Sequence, residues 1–220
     1  MSARALRSAL VTGGTGRVGL AIAARLELEG FRVLAAGRAD ADLSLPDEAR
    51  ALVERAAKEL GSLDLLVNAA AGGFVPRSVE KVTEDDWDTA FGATAKGAFF
   101  VTQAAAPYLR ESELALVVMI EDVAAYQPWP AFAPHCAAKA AQAMLTRVFA
   151  RALAPRIRVC GIAPGPVAVE PDQIERRAAE TLVGRTGSPD DVAEAIVYLV
   201  GASFVTGTTL VVDGGRMLSR

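Results

Sequence analysis

The stretch from His135 to Lys139, HCAAK, holds the only histidine of the 220-residue chain and a lysine four positions later. Residues four apart share one face of a helix, so the imidazole and the ammonium would be neighbours in a helical segment. Asp122 lies 13 residues before His135, and a carboxylate can orient an imidazole and hold its proton. Asp122, His135 and Lys139 are therefore candidate catalytic residues. Asp122 could instead cap a turn, and Lys139 could form a surface ion pair.

A glycine-rich loop, TGGTGRVG from Thr12 to Gly19, lies between a short apolar run and a helical pattern. Glycines let the backbone turn sharply and approach a pyrophosphate, which the N-terminus of the following helix attracts. The loop therefore predicts a dinucleotide site, and a plain glycine-rich turn is the alternative.

The residues after the second apolar run concern the choice of cofactor. NAD-specific sites usually carry an acid there for the ribose 2′-hydroxyl, whereas this chain has Gly37 and Arg38. An arginine suits a 2′-phosphate, and Arg17 in the glycine loop adds a second cation. The sequence thus favours NADP(H). Asp40 and Asp42 keep NAD open, and Arg38 could be a solvated surface residue.

Strand-length apolar runs alternate with amphipathic helical patterns along the chain. The strand-like runs are residues 9–12, 32–36, 63–67, 116–120, 157–162 and 210–212. Ser44 with Asp47, Thr83 with Asp86, and Ser188 with Asp191 predict helix starts, and a helix is predicted from about residue 134 to 153. Apolar strands between helices indicate an α/β fold with a parallel sheet covered on both faces. Ligands of such folds bind at the carboxyl ends of the strands.

The composition excludes several classes of function. Hydrophobic residues make up 52% of the chain and the length suits one domain over residues 1–220. The formal charge is −3 and no basic block indicates nucleic acid. No apolar run is long enough for a membrane span. Cys136 and Cys160 form no metal-type spacing, and we expect reduced thiols in a cytoplasmic protein.

These motifs, with LDLLVNAA, APG and VTGTTLVVDGG, resemble the short-chain dehydrogenase/reductase family from Ala9 to Gly215. The resemblance implies a doubly wound Rossmann sheet of about seven parallel strands, a small-molecule substrate, and a homotetramer or dimer. It also implies that Lys139 binds the nicotinamide ribose. The cofactor-binding residues that it implies are Gly13, Thr15, Arg17, Val18, Gly19, Arg38, Asp42, Leu43, Asn68, Ala69, Ala70, Thr94, Lys139, Pro164 and Gly165.

Two features resemble the pteridine reductase branch of that family. Arg17 stands where the family usually has glycine, and Asp122 fills the position of the catalytic serine. Phe74 would then be a ring that stacks on a pterin, or else a plain core residue. The substrate-binding residues implied are Arg17, Phe74, Asp122 and Trp129.

Other departures fit neither pattern. Thr94 replaces a structural asparagine of the family, His135 replaces its general-acid tyrosine, and Ala69 replaces the second asparagine of the usual NNAG. The helix that normally follows the second strand looks deleted between Arg38 and Asp42. We expect a very short third strand there, and a more open adenine pocket.

We therefore expect an NADP(H)-dependent reductase of a pterin-like or carbonyl small molecule, in which His135, Asp122 or a water that they hold delivers the proton. The rival is a non-catalytic NADP(H)-binding scaffold or sensor, because His135 could mark a lost general acid. Glu121 is expected to point away from Asp122, since strand side chains alternate. Charged residues between 167 and 183, Glu170 among them, are expected to form a solvated helix face.

Overall fold

The computed structural model describes residues 7–219, in which six strands form one sheet. The strands are β1 (Ser8–Thr12), β2 (Arg32–Ala36), β3 (Leu65–Asn68), β4 (Leu116–Ile120), β5 (Arg158–Pro164) and β6 (Thr209–Val212). Their order across the sheet is β2-β1-β3-β4-β5-β6, and every neighbouring pair is parallel. The chain therefore has the doubly wound α/β architecture that its sequence predicts.

Helices cover both faces of this sheet. They are α1 (Arg17–Leu28), α2 (Pro46–Leu60), α3 (Glu84–Phe91), α4 (Ala98–Leu109), α5 (Ala133–Leu153), α6 (Ile174–Ala179) and α7 (Pro189–Gly201). A π-helical turn, Gly92–Gly97, joins α3 to α4. Helices α1 and α7 pack on one face and α2, α4 and α5 on the other, which explains the continuous apolar strands. In the described part of the chain, every helix is too short or too polar to cross a bilayer.

The connection between β2 and α2 is as short as the sequence predicts. Residues 37–45 contain neither a helix nor a strand, so the deleted helix is confirmed, but the predicted very short third strand does not form. Over the described residues the sheet has six strands, where about seven were expected. Asp40 closes a turn by accepting the Gly37 N–H at 2.8 Å, and Asp42 accepts the Ser44 N–H at 3.0 Å. These hydrogen bonds use backbone N–H groups that a third strand would need for pairing. Because no strand forms in this connection, β2 lies at the edge of the sheet.

Helix caps decide where the neighbouring elements begin. The predicted cap of Thr83 with Asp86 is confirmed as a capping box, and so is the predicted helix start at 188–191, where Ser188 and Asp191 form a second capping box. The predicted cap of Ser44 with Asp47 is wrong, because the N-cap of α2 is Leu45 and no side chain caps this helix. The Ser44 hydroxyl instead donates to Asp42 at 2.7 Å, since a carboxylate two residues away competes for it.

The fold creates a crevice beside the glycine loop. From β1 the chain passes to β2 on one side, and β3 pairs with the other side of β1, so the topological switch point falls at the carboxyl end of β1. The short connection lies directly on the π-helical turn: a Cβ at Gly97 would lie 2.9 Å from the Leu43 Cβ, and one at Gly92 would lie 3.0 Å from the Ser44 Cβ. Together these segments close one side of the crevice.

Candidate active site

A cleft of about 730 Å³ occupies the crevice at the switch point. The glycine loop, the end of β2, the 41–45 connection and the segment after β3 form its walls. It brings together seven of the predicted cofactor residues: Gly13, Thr15, Arg38, Asp42, Leu43, Ala69 and Ala70. Pockets of roughly 300–1,000 Å³ are typical of small-molecule sites, so the cleft has room for a nucleotide.

The glycine loop is shaped by two close backbone approaches. Gly13 has a φ of +66°, and a Cβ there would lie 2.7 Å from the carbonyl of Ala69. A Cβ at Gly19 would overlap the Gly13 carbonyl oxygen, so helix α1 can begin directly against the loop only because this residue is glycine. No side chain caps the N-terminus of α1, and its first turn has no acid. Its N–H groups can therefore receive an anion.

Two cations border the outer end of the cleft. Arg38 is exposed, lines the cleft, and has no ion pair or hydrogen bond within residues 7–219. Lys96, on the π-helical turn, also lines the cleft. Hydrogen bonds from Ser44 lower the pKa of Asp42, and the charges of Arg38 and Lys96 lower it further. A negative group at this end would thus meet two cations.

A second cluster lies where β4 ends and α5 begins. The Nε2 of His135 is 3.3 Å from Oδ2 of Asp122, and His135 is only 5% exposed. Asp122 also accepts the N–H of Ala124 at 2.8 Å and caps the short 3₁₀ turn Val123–Ala125. Asp122 therefore both caps a turn and contacts the imidazole, which fixes the position of its carboxylate.

Lys139 lies one turn after His135 and is 4% exposed. Its ammonium donates to the carbonyl of Ile120 at 2.7 Å and to Oε1 of Gln142 at 3.0 Å. Burial lowers the pKa of Lys139 from its ordinary 10.5 to about 8, and the charges of Asp122 and Glu121 oppose part of that decrease. The alternative of a surface ion pair is wrong, because the side chain points into the protein.

Two aromatic rings flank His135, and a third, Phe132, packs against both of them. Phe74 meets the imidazole edge-on with ring centres 4.9 Å apart, and it stacks on Phe132 at 4.4 Å. The ring of Trp129 is parallel to the imidazole at 6.5 Å and receives the guanidinium of Arg216 on its face at 4.8 Å. Phe74 and Trp129, both predicted to bind substrate, thus lie beside the candidate acid.

Several predicted cofactor residues do not line the cleft. Arg17 points across to the 167–183 segment and pairs with Glu170 at 2.7 Å, so Glu170 is not simply part of a solvated helix face. The Asn68 amide is buried and donates to Thr102 at 3.0 Å. The hydroxyl of Thr94 is buried and accepts the N–H of Gly72 at 3.3 Å. The others outside the cleft are Val18, Gly19, Lys139, Pro164 and Gly165.

Three contributors to these clusters were not among the predicted site residues. Lys96 could have been noticed as the cation of the FGATAKG segment, but its position depends on the π-helical turn. Phe132 precedes His135 by three residues, which is helical spacing for a shared face. Gln142 follows Lys139 by three residues and could have been found by the same spacing.

The chain is similar to known enzymes over nearly its whole length. The profile of the family described as Enoyl-(Acyl carrier protein) reductase matches residues 23–216. Dehydrogenase/reductase SDR family member 4 of Homo sapiens is 32% identical, covering 94% of this chain and 86% of that protein. The 3beta-hydroxysteroid dehydrogenase 1 of Eggerthella lenta is 32% identical, covering 96% and 94%. The solved structure of 3-ketoacyl-(acyl-carrier-protein) reductase from Brucella melitensis complexed with NADH has a TM-score of 0.89 at 28% identity, covering 96% of this chain and 98% of that chain.

The buried lysine predicts a dependence of stability on pH. Below pH 8, Lys139 is charged in both the folded and the unfolded chain, so the cost of burying the charge is fully present. Between pH 8 and 10.5 the folded chain releases the proton first, and the cost disappears. Relative to Lys139→Met, the parent should therefore gain about 3 kcal/mol of unfolding free energy across this range. Urea unfolding at several pH values measures the difference.

Lys58→Met provides the control, because Lys58 is exposed on α2. The difference in unfolding free energy between Lys58→Met and the parent should stay nearly constant between pH 8 and 10.5. A difference between the parent and Lys139→Met that is equally constant would contradict the burial of a charged Lys139.

Proposed function

Because the chain belongs to the short-chain dehydrogenase/reductase family, we propose that it is an NADP(H)-dependent oxidoreductase that reduces a small molecule, with His135 as the proton donor. The observation that carries the proposal is the contact of His135 with Asp122 at 3.3 Å, one helical turn from a buried Lys139. A carboxylate, an imidazole and an ammonium meet at the carboxyl end of the sheet, where ligands of this fold bind.

The residues of the cleft fit a nicotinamide dinucleotide. Glycines bring the backbone close to the space beside α1, the uncapped helix N-terminus attracts a pyrophosphate, and the cleft of about 730 Å³ can hold an adenosine. Gly13, Thr15, Ala69 and Ala70 would hold the cofactor there, and Lys139 would bind its nicotinamide ribose. When bound, the cofactor supplies the hydride.

The preference for NADP(H) rests on the charges at the outer end of the cleft. Gly37 leaves the usual position of a 2′-hydroxyl acceptor without an acid, and Arg38 beside it is free of ion pairs in the described range. Asp42 is engaged by Ser44 at 2.7 and 3.0 Å. A 2′-phosphate would gain a charge-assisted hydrogen bond from Arg38, and Lys96, which also lines the cleft, would add attraction.

His135 supplies the proton in this proposal. An imidazolium can donate a proton to the oxygen or nitrogen of the double bond that accepts the hydride, which converts C=O to CH–OH or C=N to CH–NH. Oδ2 of Asp122 lies 3.3 Å from Nε2 of His135, and the position of Asp122 is fixed by the N–H of Ala124. The ammonium of Lys139 would favour release of the imidazolium proton to the substrate, because like charges repel.

The aromatic wall favours a planar substrate. Phe74, Phe132 and Trp129 cluster around His135, and flat rings stack on such surfaces. Phe74 is 56% exposed, so one side of its ring can receive a ligand. A pterin is the substrate that we propose, and a carbonyl compound is the alternative that the names of the relatives support. Arg17 would contact either substrate only after its ion pair with Glu170 opens.

One observation favours a second function. His135 is 5% exposed and its ring is covered by Phe74 and Trp129, which limits the access of a substrate. A scaffold or sensor that binds NADP(H) without turnover would keep the cleft and would not need an accessible acid.

We also propose a domain organisation, a cellular location and an oligomeric state for the protein. We infer that residues 1–220 act as one cofactor-binding domain. The two cysteines, Cys136 and Cys160, are unpaired thiols, which is common for proteins of reducing compartments and supports a cytoplasmic location. A homotetramer or dimer is proposed from the resemblance to the family.

Arg38→Ala tests the choice of cofactor. Loss of a charge-assisted contact to the 2′-phosphate should weaken NADPH binding roughly 10- to 100-fold and NADH binding much less. Titration of both cofactors into the parent and the variant measures this. Arg50→Ala is the control, because Arg50 is exposed on α2 and does not line the cleft. Equal losses for both cofactors would remove Arg38 from the 2′-phosphate site.

Thermal unfolding with NADPH and candidate ligands tests the substrate. A pterin, or an antifolate of similar shape, should raise the melting temperature because it binds the folded state, and Phe74→Leu should reduce that increase. NADPH oxidation with pterins, ketoacyl esters and hydroxysteroid ketones then measures turnover. If only carbonyl compounds are reduced, the pterin assignment is wrong. Tight NADPH binding without oxidation on any substrate would support the scaffold.

A further inference from the structure

Glu121 is a buried carboxylate beside the candidate active site. It is 2% exposed and points away from Asp122, as the alternation of strand side chains predicts. Its Oε1 accepts the hydroxyl of Thr146 at 2.6 Å, and its Oε2 accepts those of Tyr126 at 2.7 Å and Thr209 at 3.0 Å. Three neutral donors thus hold a carboxylate inside the protein, and the proposed proton transfer does not use it.

The space for this carboxylate is provided by Gly161 on β5. A Cβ at Gly161 would overlap Oε1 of Glu121 and would lie 2.7 Å from the hydroxyl of Thr209. A buried carboxylate is costly unless it is paired and hydrogen-bonded. The glycine and the three hydroxyls therefore form a built site for a fixed negative charge.

Lys139 is the cation that this charge acts on. Its ammonium binds the carbonyl of Ile120, the residue directly before Glu121, at 2.7 Å. Within the described residues, Asp122 and Glu121 are the two charges that raise the pKa of Lys139 against the effect of burial. His135 faces Asp122 from the same helix as Lys139.

The other titratable group that Glu121 contacts is Tyr126. Burial, and to a smaller extent the Glu121 carboxylate, raise the pKa of Tyr126 to about 12, so its phenol stays a hydrogen-bond donor. Arg147 on α5 also acts on Tyr126. Neither group replaces the negative charge of Glu121 next to Lys139.

The proposed mechanism requires two cations close together. When His135 carries the proton to be transferred, an imidazolium and an ammonium lie one turn apart on α5, and like charges at this distance disfavour each other. Asp122 contacts His135 and can balance one of the two charges. A second carboxylate is needed for the other.

We propose that Glu121 is a positioning residue that keeps Lys139 in its ammonium form while His135 is protonated. This inference rests on the proposed function, in which Lys139 binds the cofactor and His135 donates the proton. In this proposal Glu121 contacts neither substrate nor cofactor, and it acts only through the electrostatic attraction between its carboxylate and the ammonium of Lys139.

Glu121→Gln removes the charge and keeps the shape of the side chain. In the protein without added cofactor, NMR of ¹³C-labelled lysine follows Lys139, one of four lysines, whose signal is identified by its loss in Lys139→Arg. The titration midpoint of Lys139, about 8 in the parent, should fall by about one pH unit in Glu121→Gln, since a nearby opposite charge shifts a pKa by that order. Glu121→Asp, which retains the charge, should restore most of the shift.

Tyr126→Phe is the matched control. It removes a hydrogen bond to Glu121 but leaves the carboxylate, so the midpoint of Lys139 should stay close to that of the parent. If Glu121→Gln does not fold, Glu121→Thr carries the same test with a smaller neutral side chain. A midpoint unchanged in the neutral variant, or moved equally by Tyr126→Phe, would overturn the proposal.

The pH dependence of turnover separates this inference from the proposed function. With an active substrate, the comparison is made in the His135→Tyr background, where the imidazole no longer sets the alkaline limb, and there Glu121→Gln should lose kcat/KM at a lower pH than His135→Tyr alone. If His135→Tyr is active and adding Glu121→Gln leaves its alkaline limb unchanged, only the role of Glu121 fails. If no substrate is turned over but the Lys139 midpoint falls in Glu121→Gln, the charge coupling stands and the reductase assignment fails.

Discussion

The burial of the Lys139 ammonium is the constraint on which the rest of the site depends. A charged amine that is 4% exposed must find acceptors and opposite charges within the protein, because an unpaired buried charge is costly. Lys139 finds the carbonyl of Ile120 and the amide oxygen of Gln142. These contacts tie helix α5 to the end of strand β4. The same tie brings His135, one turn earlier, to Asp122.

The parallel sheet places both clusters at the carboxyl ends of its strands. All six strands run in the same direction, so the glycine loop after β1, the connection after β2 and Asp122 beyond β4 share one edge of the sheet. The short 37–45 connection affects only the part of the site next to β2, the terminal strand of the sheet. It lacks the expected third strand and lies on the π-helical turn, and Arg38 and Lys96 both line the cleft that it borders.

Much of this arrangement could be predicted from the sequence. The six apolar runs and the helical patterns predicted the sheet, because parallel strands buried on both faces need continuous apolar residues. The four-residue spacing of His135 and Lys139 predicted that they share one helix face, since helical geometry is regular, and the resemblance to the family implied that Asp122 lies beside them. The missing third strand and the wrong cap at Ser44 were harder to predict. Both depend on local hydrogen bonds of Asp40 and Asp42 that compete with regular structure.

Contacts between distant segments were not predictable in the same way. The ion pair of Arg17 with Glu170 joins residues 153 positions apart, and Arg216 reaches the ring of Trp129 from the end of the chain. Such contacts depend on how the loops pack on the folded sheet. Loop packing follows no regular sequence period, so residue patterns do not predict it. The aromatic wall around His135 is of the same kind, because Phe74 and Phe132 come from separate loops.

The pH dependence of turnover in His135 variants tests the central claim most directly. If imidazolium donates the proton, the parent should slow as pH rises, and His135→Ala should be at least about 100-fold slower, with NADPH affinity nearly unchanged and most of the pH dependence lost. His135→Tyr should keep activity to higher pH, since a phenol loses its proton at higher pH than an imidazole does. His135→Ala turning over as fast as the parent across the whole pH range would contradict the account.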